Sequence, residues 1–332
     1  MTTQAAVLGA GSWGTALSTA LAERGLEVTL YSNEPEVRDE INSVRRNSRY
    51  LPEVELPRGI RATTEIAEVG RCPMILVVVP SQVARLVLKQ VAAVGLPEET
   101  VIVNCTKGLD PESGKLMHEL VEEFFPRNPV AVLSGPSHAE EVANRMATLA
   151  TIGSADLAVA ARVQEVFALP WFRTYTSSDV IGIELGGVVK NVFAIAAGCI
   201  DGLGLGDNAK AAMVTRGLAE MTRLGVALGA REETFRGLSG IGDLIVTCYS
   251  VHSRNNRVGR LLGSGKSLEQ AVAETGQVAE GVPNAKTVHE LARRLGVRTP
   301  LIDQAHAVLF EGRPPAQALR ELLERDQRSE AD

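Results

Sequence analysis

Residues 7–15 read VLGAGSWGT, and the three glycines Gly9, Gly11 and Gly14 constrain the fold more than any other feature of the chain. The pattern G-x-G-x-x-G is short enough to arise by accident, so its meaning rests on its flanks. Before it, residues 5–8 form a short apolar run of strand type. After it, Leu17, Ala20 and Leu21 recur at helical spacing until Gly25 stops the pattern. Residues 27–31 (EVTLY) then read as a second, β-branched strand. Strand, glycine turn, helix and strand close within about 30 residues, the length of a βαβ unit. In that setting the first glycine permits a tight turn, the second lets a pyrophosphate approach the backbone, and the third lets helix and strand pack closely. The helix N-terminus offers unpaired N–H groups and a positive dipole end to phosphates. Nucleotide binding, rather than an ordinary glycine turn, is the expectation.

The α/β rhythm continues through residues 74–79 (MILVVV), 101–105 (VIVNC) and 130–133 (VAVL), with helical segments between them. Fully apolar strands of this kind belong to a parallel sheet covered on both faces, whose ligand crevice lies at the strands' carboxyl ends. The stretches that follow the strands are therefore functional candidates: VPSQ (79–82), TKGLD (106–110) and SGPSHAEE (134–141). TLATIG and FRTYT are expected to add strands to the same sheet. Near Asp179 the rhythm changes to helical segments separated by glycine, proline and polar caps. The predicted architecture is an α/β Rossmann-like domain over residues 1–180 with a mostly parallel sheet, then an all-α domain over residues 181–332. Residues 325–332 (RDQRSEAD) read as a frayed tail.

A chain of 332 residues with 45% hydrophobic and 22% charged residues is globular rather than disordered, and a net charge of −6 argues against a nucleic-acid partner. No leader segment or apolar run of membrane-spanning length is recognised; the stretch around residues 181–200 is interrupted by Glu184, Lys190 and Asn191. Cys72, Cys105, Cys199 and Cys248 are widely scattered, so they read as buried thiols with neither disulfide nor metal. A cytoplasmic protein without stable membrane insertion is expected.

Within 181–332 the unusual feature is VVKNV, which sets Lys190 and Asn191 in an apolar segment. One possibility is a lysine snorkelling to the surface. The other is a lysine buried beside a nicotinamide, where desolvation lowers its pKa and fits it for proton transfer. GLSGIGDLIVTC places Asp243 after a flexible turn, and HSRNNR places Ser253, Arg254 and Asn255 at a helix start. Ser253 as N-cap, the following N–H groups and Arg254 would make a compact anion site; a solvated basic turn is the alternative.

The motifs GAGSWGTAL, TKGL, SGPSHAEEV, VVKNV, GIGDLIVTC, SRN and VAEGV, in this order, resemble the bacterial-type NAD(P)-dependent glycerol-3-phosphate dehydrogenase family from about Val7 to at least Val282. The resemblance implies NADPH/NADP or NADH/NAD as cofactor. It also implies dihydroxyacetone phosphate and sn-glycerol 3-phosphate as substrates, and a homodimer. It assigns Gly9, Gly11, Ser12, Trp13, Gly14, Asn33, Lys107, Ala139, Arg254, Val278 and Glu280 to the cofactor. Lys107, Gly135, Ser137, Lys190, Asp243, Ser253, Arg254 and Asn255 go to the substrate, with Lys190 as the proton-transfer lysine. Two alternatives remain open: a hydroxyacid dehydrogenase using His138 with Glu141, and a nucleotide sensor without catalysis.

Overall fold

The computed structural model describes residues 3–326 and 329, so the tail expected at 325–332 lies largely outside the described residues. The chain divides into two compact units. One contains the chain through Gly187 together with Gly229–Asp243; the other contains Val188–Leu228 and the chain from Leu244 onward.

The first unit alternates strands and helices: β1 (Gln4–Leu8), α1 (Ser12–Glu23), β2 (Glu27–Tyr31), α2 (Pro35–Val44), β3 (Ile60–Thr63), α3 (Ile66–Val69), β4 (Met74–Val77) and α4 (Ser81–Val94). It continues with β5 (Val101–Asn104), α5 (Met117–Phe124), β6 (Val130–Ser134), α6 (Ala139–Ala143), β7 (Thr148–Gly153), α7 (Leu157–Val166) and β8 (Phe172–Ser177). The sheet runs β3-β2-β1-β4-β5-β6-β7-β8, and every neighbouring pair is parallel except β6 with β7. The α/β expectation with a mostly parallel sheet holds, and TLATIG and FRTYT are its last two strands.

Alternation along the strands explains why they are apolar throughout. Ala5, Val7, Met74, Leu76, Val101 and Val103 enter one core, while Ala6, Leu8, Ile75, Val77 and Ile102 enter another on the opposite face. Each fully buried leucine or valine contributes about 1.5–3 kcal/mol. The edge strand β3 was not expected from sequence, because IRAT is four residues long with Arg61 exposed. Strand order reverses between β1 and β4, which puts the carboxyl end of β1, and Gly9 directly after it, at the topological switch point.

From residue 180 onward the chain is helical: α8 (Val180–Gly202), α9 (Gly206–Ala227), α10 (Asp243–Tyr249), α11 (Arg254–Gly263), α12 (Leu268–Thr275), α13 (Gly281–Leu295), α14 (Pro300–Phe310) and α15 (Pro315–Leu323). Short 3-10 and π turns at Glu232–Arg236 and Leu238–Gly242 precede α10. One expectation is corrected: α8 is long and apolar enough to cross a membrane, since an 18-residue window within it keeps a mean hydropathy of 1.7 despite Glu184 and Lys190. Its apolar window is 83% buried inside the protein, which marks a core helix. The glycines of α8 are contact points. A Cβ at Gly198 would lie 2.0 Å from the Asn256 carbonyl oxygen, and one at Gly259 of α11 would lie 2.0 Å from that of Ile195, so these helices meet backbone to backbone. Around this contact Val192, Ile195, Val258 and Leu262 form a core of the second unit.

Candidate active site

The glycine loop is built as its spacing requires. Gly9 has φ +115°, and a Cβ there would lie 2.8 Å from the Val78 carbonyl oxygen at the end of β4. A Cβ at Gly14 would lie 1.8 Å from the Gly9 oxygen, so α1 can pack on the turn only with glycine there. Gly11 differs: a Cβ would meet nothing within 4 Å, and no side chain caps the first turn of α1. An open cradle over uncapped N–H groups fits the phosphates of a dinucleotide. Ser12 is buried and donates to the Tyr50 carbonyl at 2.8 Å, and Trp13 packs against the core. Ala139 opens α6, which packs on α1.

Sequence reasoning missed Asn47. Fully buried, it donates through Nδ2 to the Ala10 carbonyl and to Thr15 Oγ1, both at 2.8 Å, and so holds the loop from outside. No local pattern marks a residue 37 positions from its partner. Beyond β2, Asn33 is exposed, and Glu34 accepts from the Tyr50 hydroxyl at 3.0 Å and pairs with Arg49 at 3.1 Å. Burial, then the bond to and charge of Glu34, push the Tyr50 phenol above its usual range.

The expected residues after β5 and β6 come together in the first unit. Lys107 Nζ lies 2.9 Å from Asp243 Oδ2 and 3.2 Å from the Gly135 carbonyl, which also accepts from Ser137 Oγ at 3.1 Å. Asp243 is fully buried, so its charge requires this partner. Asp110 anchors the far end of TKGLD through Arg85 at 2.7 Å and Ser113 at 2.5 Å. Although burial opposes ionisation, these donors hold its carboxyl below the usual range.

In the second unit Lys190 is 5% exposed, which removes the snorkelling alternative, and Nζ donates to Thr247 Oγ1 at 2.9 Å. Thr247 was not singled out from sequence, although it follows Asp243 by four residues in GIGDLIVTC. Ser253 is the N-cap of α11, accepting from the Asn256 N–H at 3.2 Å, and Arg254 stands exposed on the first turn with Nη1 3.4 Å from Gln277 Oε1. Asn255 donates to Asn191 Oδ1 at 2.9 Å and accepts from the Gly281 N–H at 2.8 Å. Val278 is half exposed, and Glu280 occupies the N-cap position of α13. His138 stands at the N-cap position of α6, with Glu141 in the first turn of that helix. The cysteines are buried free thiols, and no group of three potential metal ligands occurs among the described residues.

Residues 4–160 match the NAD-dependent glycerol-3-phosphate dehydrogenase N-terminus, and residues 179–320 match the C-terminus of the same family. A glycerol-3-phosphate dehydrogenase (NAD(P)+) of Geobacter sp. (strain M21) is 47% identical over 99% of both chains. The chain belongs to this dehydrogenase family. A relative with the same description from Enterococcus faecalis is 48% identical over 99% of this chain and 98% of its own. The crystal structure of glycerol-3-phosphate dehydrogenase from Coxiella burnetii superimposes with a TM-score of 0.94 at 41% identity, covering 98% of this chain and 99% of that one. The glycine loop, the Lys107–Asp243 pair and the buried Lys190 are therefore features of a dehydrogenase chain.

Proposed function

We propose that the chain reduces dihydroxyacetone phosphate to sn-glycerol 3-phosphate with NADPH or NADH, reversibly, and supplies glycerophospholipid synthesis. NAD(P)-dependent glycerol-3-phosphate dehydrogenase activity is that of its family. Residues 1–180 serve as the dinucleotide-binding domain and 181–332 as the substrate and catalytic domain. When bound, the reduced nicotinamide supplies the hydride for the ketone carbon. Gly9, Gly11, Ser12, Trp13 and Gly14 hold the dinucleotide, with Asn33 at its ribose end and Ala139 beside it, and Val278 and Glu280 are assigned to the cofactor as well.

The chain's own groups manage charge and protons. Lys190 gives its proton to the oxygen that becomes an alkoxide, and in reverse takes the hydroxyl proton of glycerol 3-phosphate. Lys107 adds positive charge where that oxygen turns anionic, stabilising the transition state more than the ground state. Asp243 fixes the Lys107 ammonium. Ser253, Arg254 and Asn255 bind the substrate phosphate at the start of α11, so phosphate binding orients the ketone, and Gly135 and Ser137 complete the substrate contacts. Four buried free thiols suit a reducing cytoplasm, and a homodimer is the assembly proposed from the family likeness.

The observation that carries this function is the burial of Lys190 in α8, with its Nζ donating to Thr247 Oγ1, at a position where an ammonium has no packing value. Lys190→Met keeps the volume and deletes the amine. Turnover of dihydroxyacetone phosphate, followed at the nicotinamide absorbance band, should fall about 10²–10⁴-fold while NADPH binding survives. Near-normal turnover would remove Lys190 from the mechanism.

A further inference from the structure

Glu184 is a carboxylate in the apolar first half of α8, 4% exposed, where a hydrophobic side chain would cost nothing in desolvation. The carboxylate is fully engaged within the first unit. Oε1 accepts from Asn104 Nδ2 at 2.5 Å and from the His118 N–H at 3.0 Å, and Oε2 lies 2.7 Å from His118 Nδ1. Asn104 ends β5 and clasps the loop that follows. Its Oδ1 accepts from the Thr106 N–H at 3.0 Å, and its Nδ2 also donates to the Thr106 carbonyl at 3.3 Å. Thr106 Oγ1 donates to the Val79 carbonyl at 2.8 Å, so the backbone from which Lys107 departs is tied on both sides. The same helix also meets the lysine stem. A Cβ at Gly187 would lie 3.5 Å from Lys107 Cγ and 2.8 Å from Ser134 Oγ.

We propose that Glu184, held by His118 and acting through Asn104, is a positioning residue for Lys107. The inference rests on the assignment of Lys107 to the transition state made above. The carboxylate fixes the Asn104 amide, the amide fixes Thr106, and the ammonium of Lys107 is thereby delivered to its place beside Asp243 and the Gly135 carbonyl. A group that serves only to weld α5 to α8 would lower stability without coupling to Lys107. A positioning group couples to it, because its removal and the removal of the lysine destroy the same interaction.

The test compares the full-length Glu184→Gln, Lys107→Met and double-variant proteins by kcat and KM for dihydroxyacetone phosphate, NADPH affinity from fluorescence titration, and melting temperature. Glu184→Gln should lower kcat/KM about tenfold or more with NADPH affinity little changed, and adding it to Lys107→Met should cost less than about twofold further. Full multiplication of the two losses overturns the proposal. An intact Glu184→Gln beside an impaired Lys107→Met overturns it while leaving the role of Lys107 standing, and normal activity of Lys107→Met overturns both. His118 gives a second route should Glu184→Gln fold poorly. His118→Asn keeps a donor facing the carboxylate and should retain most activity, whereas His118→Leu should lose it about as Glu184→Gln does; equal activity of the two overturns the proposal.

Discussion

The ammonium of Lys107 lies 2.9 Å from the carboxylate of Asp243, 136 residues further along the chain. Asp243 reaches this place because Gly229–Asp243 returns to the first unit after α9. The pair joins two motifs, TKGL and GIGDLIVTC, that are individually short, and it gives a buried acid and a partly exposed lysine one shared geometry.

Alanine at two neighbouring glycines should have opposite consequences. Gly14→Ala places a methyl 1.8 Å from the Gly9 oxygen, so the turn must open and the first unit should lose several degrees of melting temperature or fail to fold. Gly11→Ala meets nothing within 4 Å and should melt normally, yet weaken NADPH binding, measured by fluorescence titration, by about tenfold or more where the phosphate approaches. Equal NADPH affinity for Gly11→Ala and the parent would take the cradle out of the binding site.

Both nicotinamide cofactors should support turnover, because the first side chains after β2, Ser32 and Asn33, carry no charge and that of Glu34 is engaged by Tyr50 and Arg49. Removing the remaining negative charge with Glu34→Gln should raise the NADPH-to-NADH ratio of kcat/KM by about fivefold, the effect of roughly 1 kcal/mol. An unchanged ratio would show that Glu34 does not face the 2′-phosphate.

Arg254 is exposed on the first turn of α11, and its replacement should leave folding intact. Arg254→Ala should raise the KM for dihydroxyacetone phosphate by about 10–150-fold, equivalent to a charge-assisted hydrogen bond of about 1.5–3 kcal/mol. NADPH affinity is measured separately in the same protein, since the arginine is also assigned to the cofactor. Unaltered substrate dependence would exclude it from the phosphate site.

Burial alone would lower the His118 pKa, but the bond to and charge of Glu184, with Glu119 and Glu122 adding, leave it above its usual 6.5. The folded state therefore holds this proton more tightly than the unfolded chain does. The resulting stability is fully present below about pH 6.5 and is lost as pH rises through the raised folded value. The melting-temperature advantage of the parent over His118→Asn should accordingly be largest near pH 6 and shrink toward pH 9. An advantage independent of pH would mean that folding does not raise the His118 pKa.

What the sequence determined by itself is local. The glycine turn, the apolar strands, the stop at Gly25 and the N-cap at Ser253 each depend on residues within a few positions of one another, and backbone sterics and hydrogen-bond reach settle them there. The motif words carried the family for the same reason, since each is a short run of adjacent residues. Tertiary structure alone decided that Asn47 would hold the glycine loop, that Glu184 would meet Asn104 and His118, that Lys190 would be buried rather than snorkelling, and that an apolar helix of membrane-spanning length would be a core element. A buried polar group takes its meaning from the partner that satisfies it, and those partners lie 37 residues away for Asn47, 57 for Lys190 and 80 for Glu184. No periodicity extends over such separations; only the folded chain brings each donor to its acceptor.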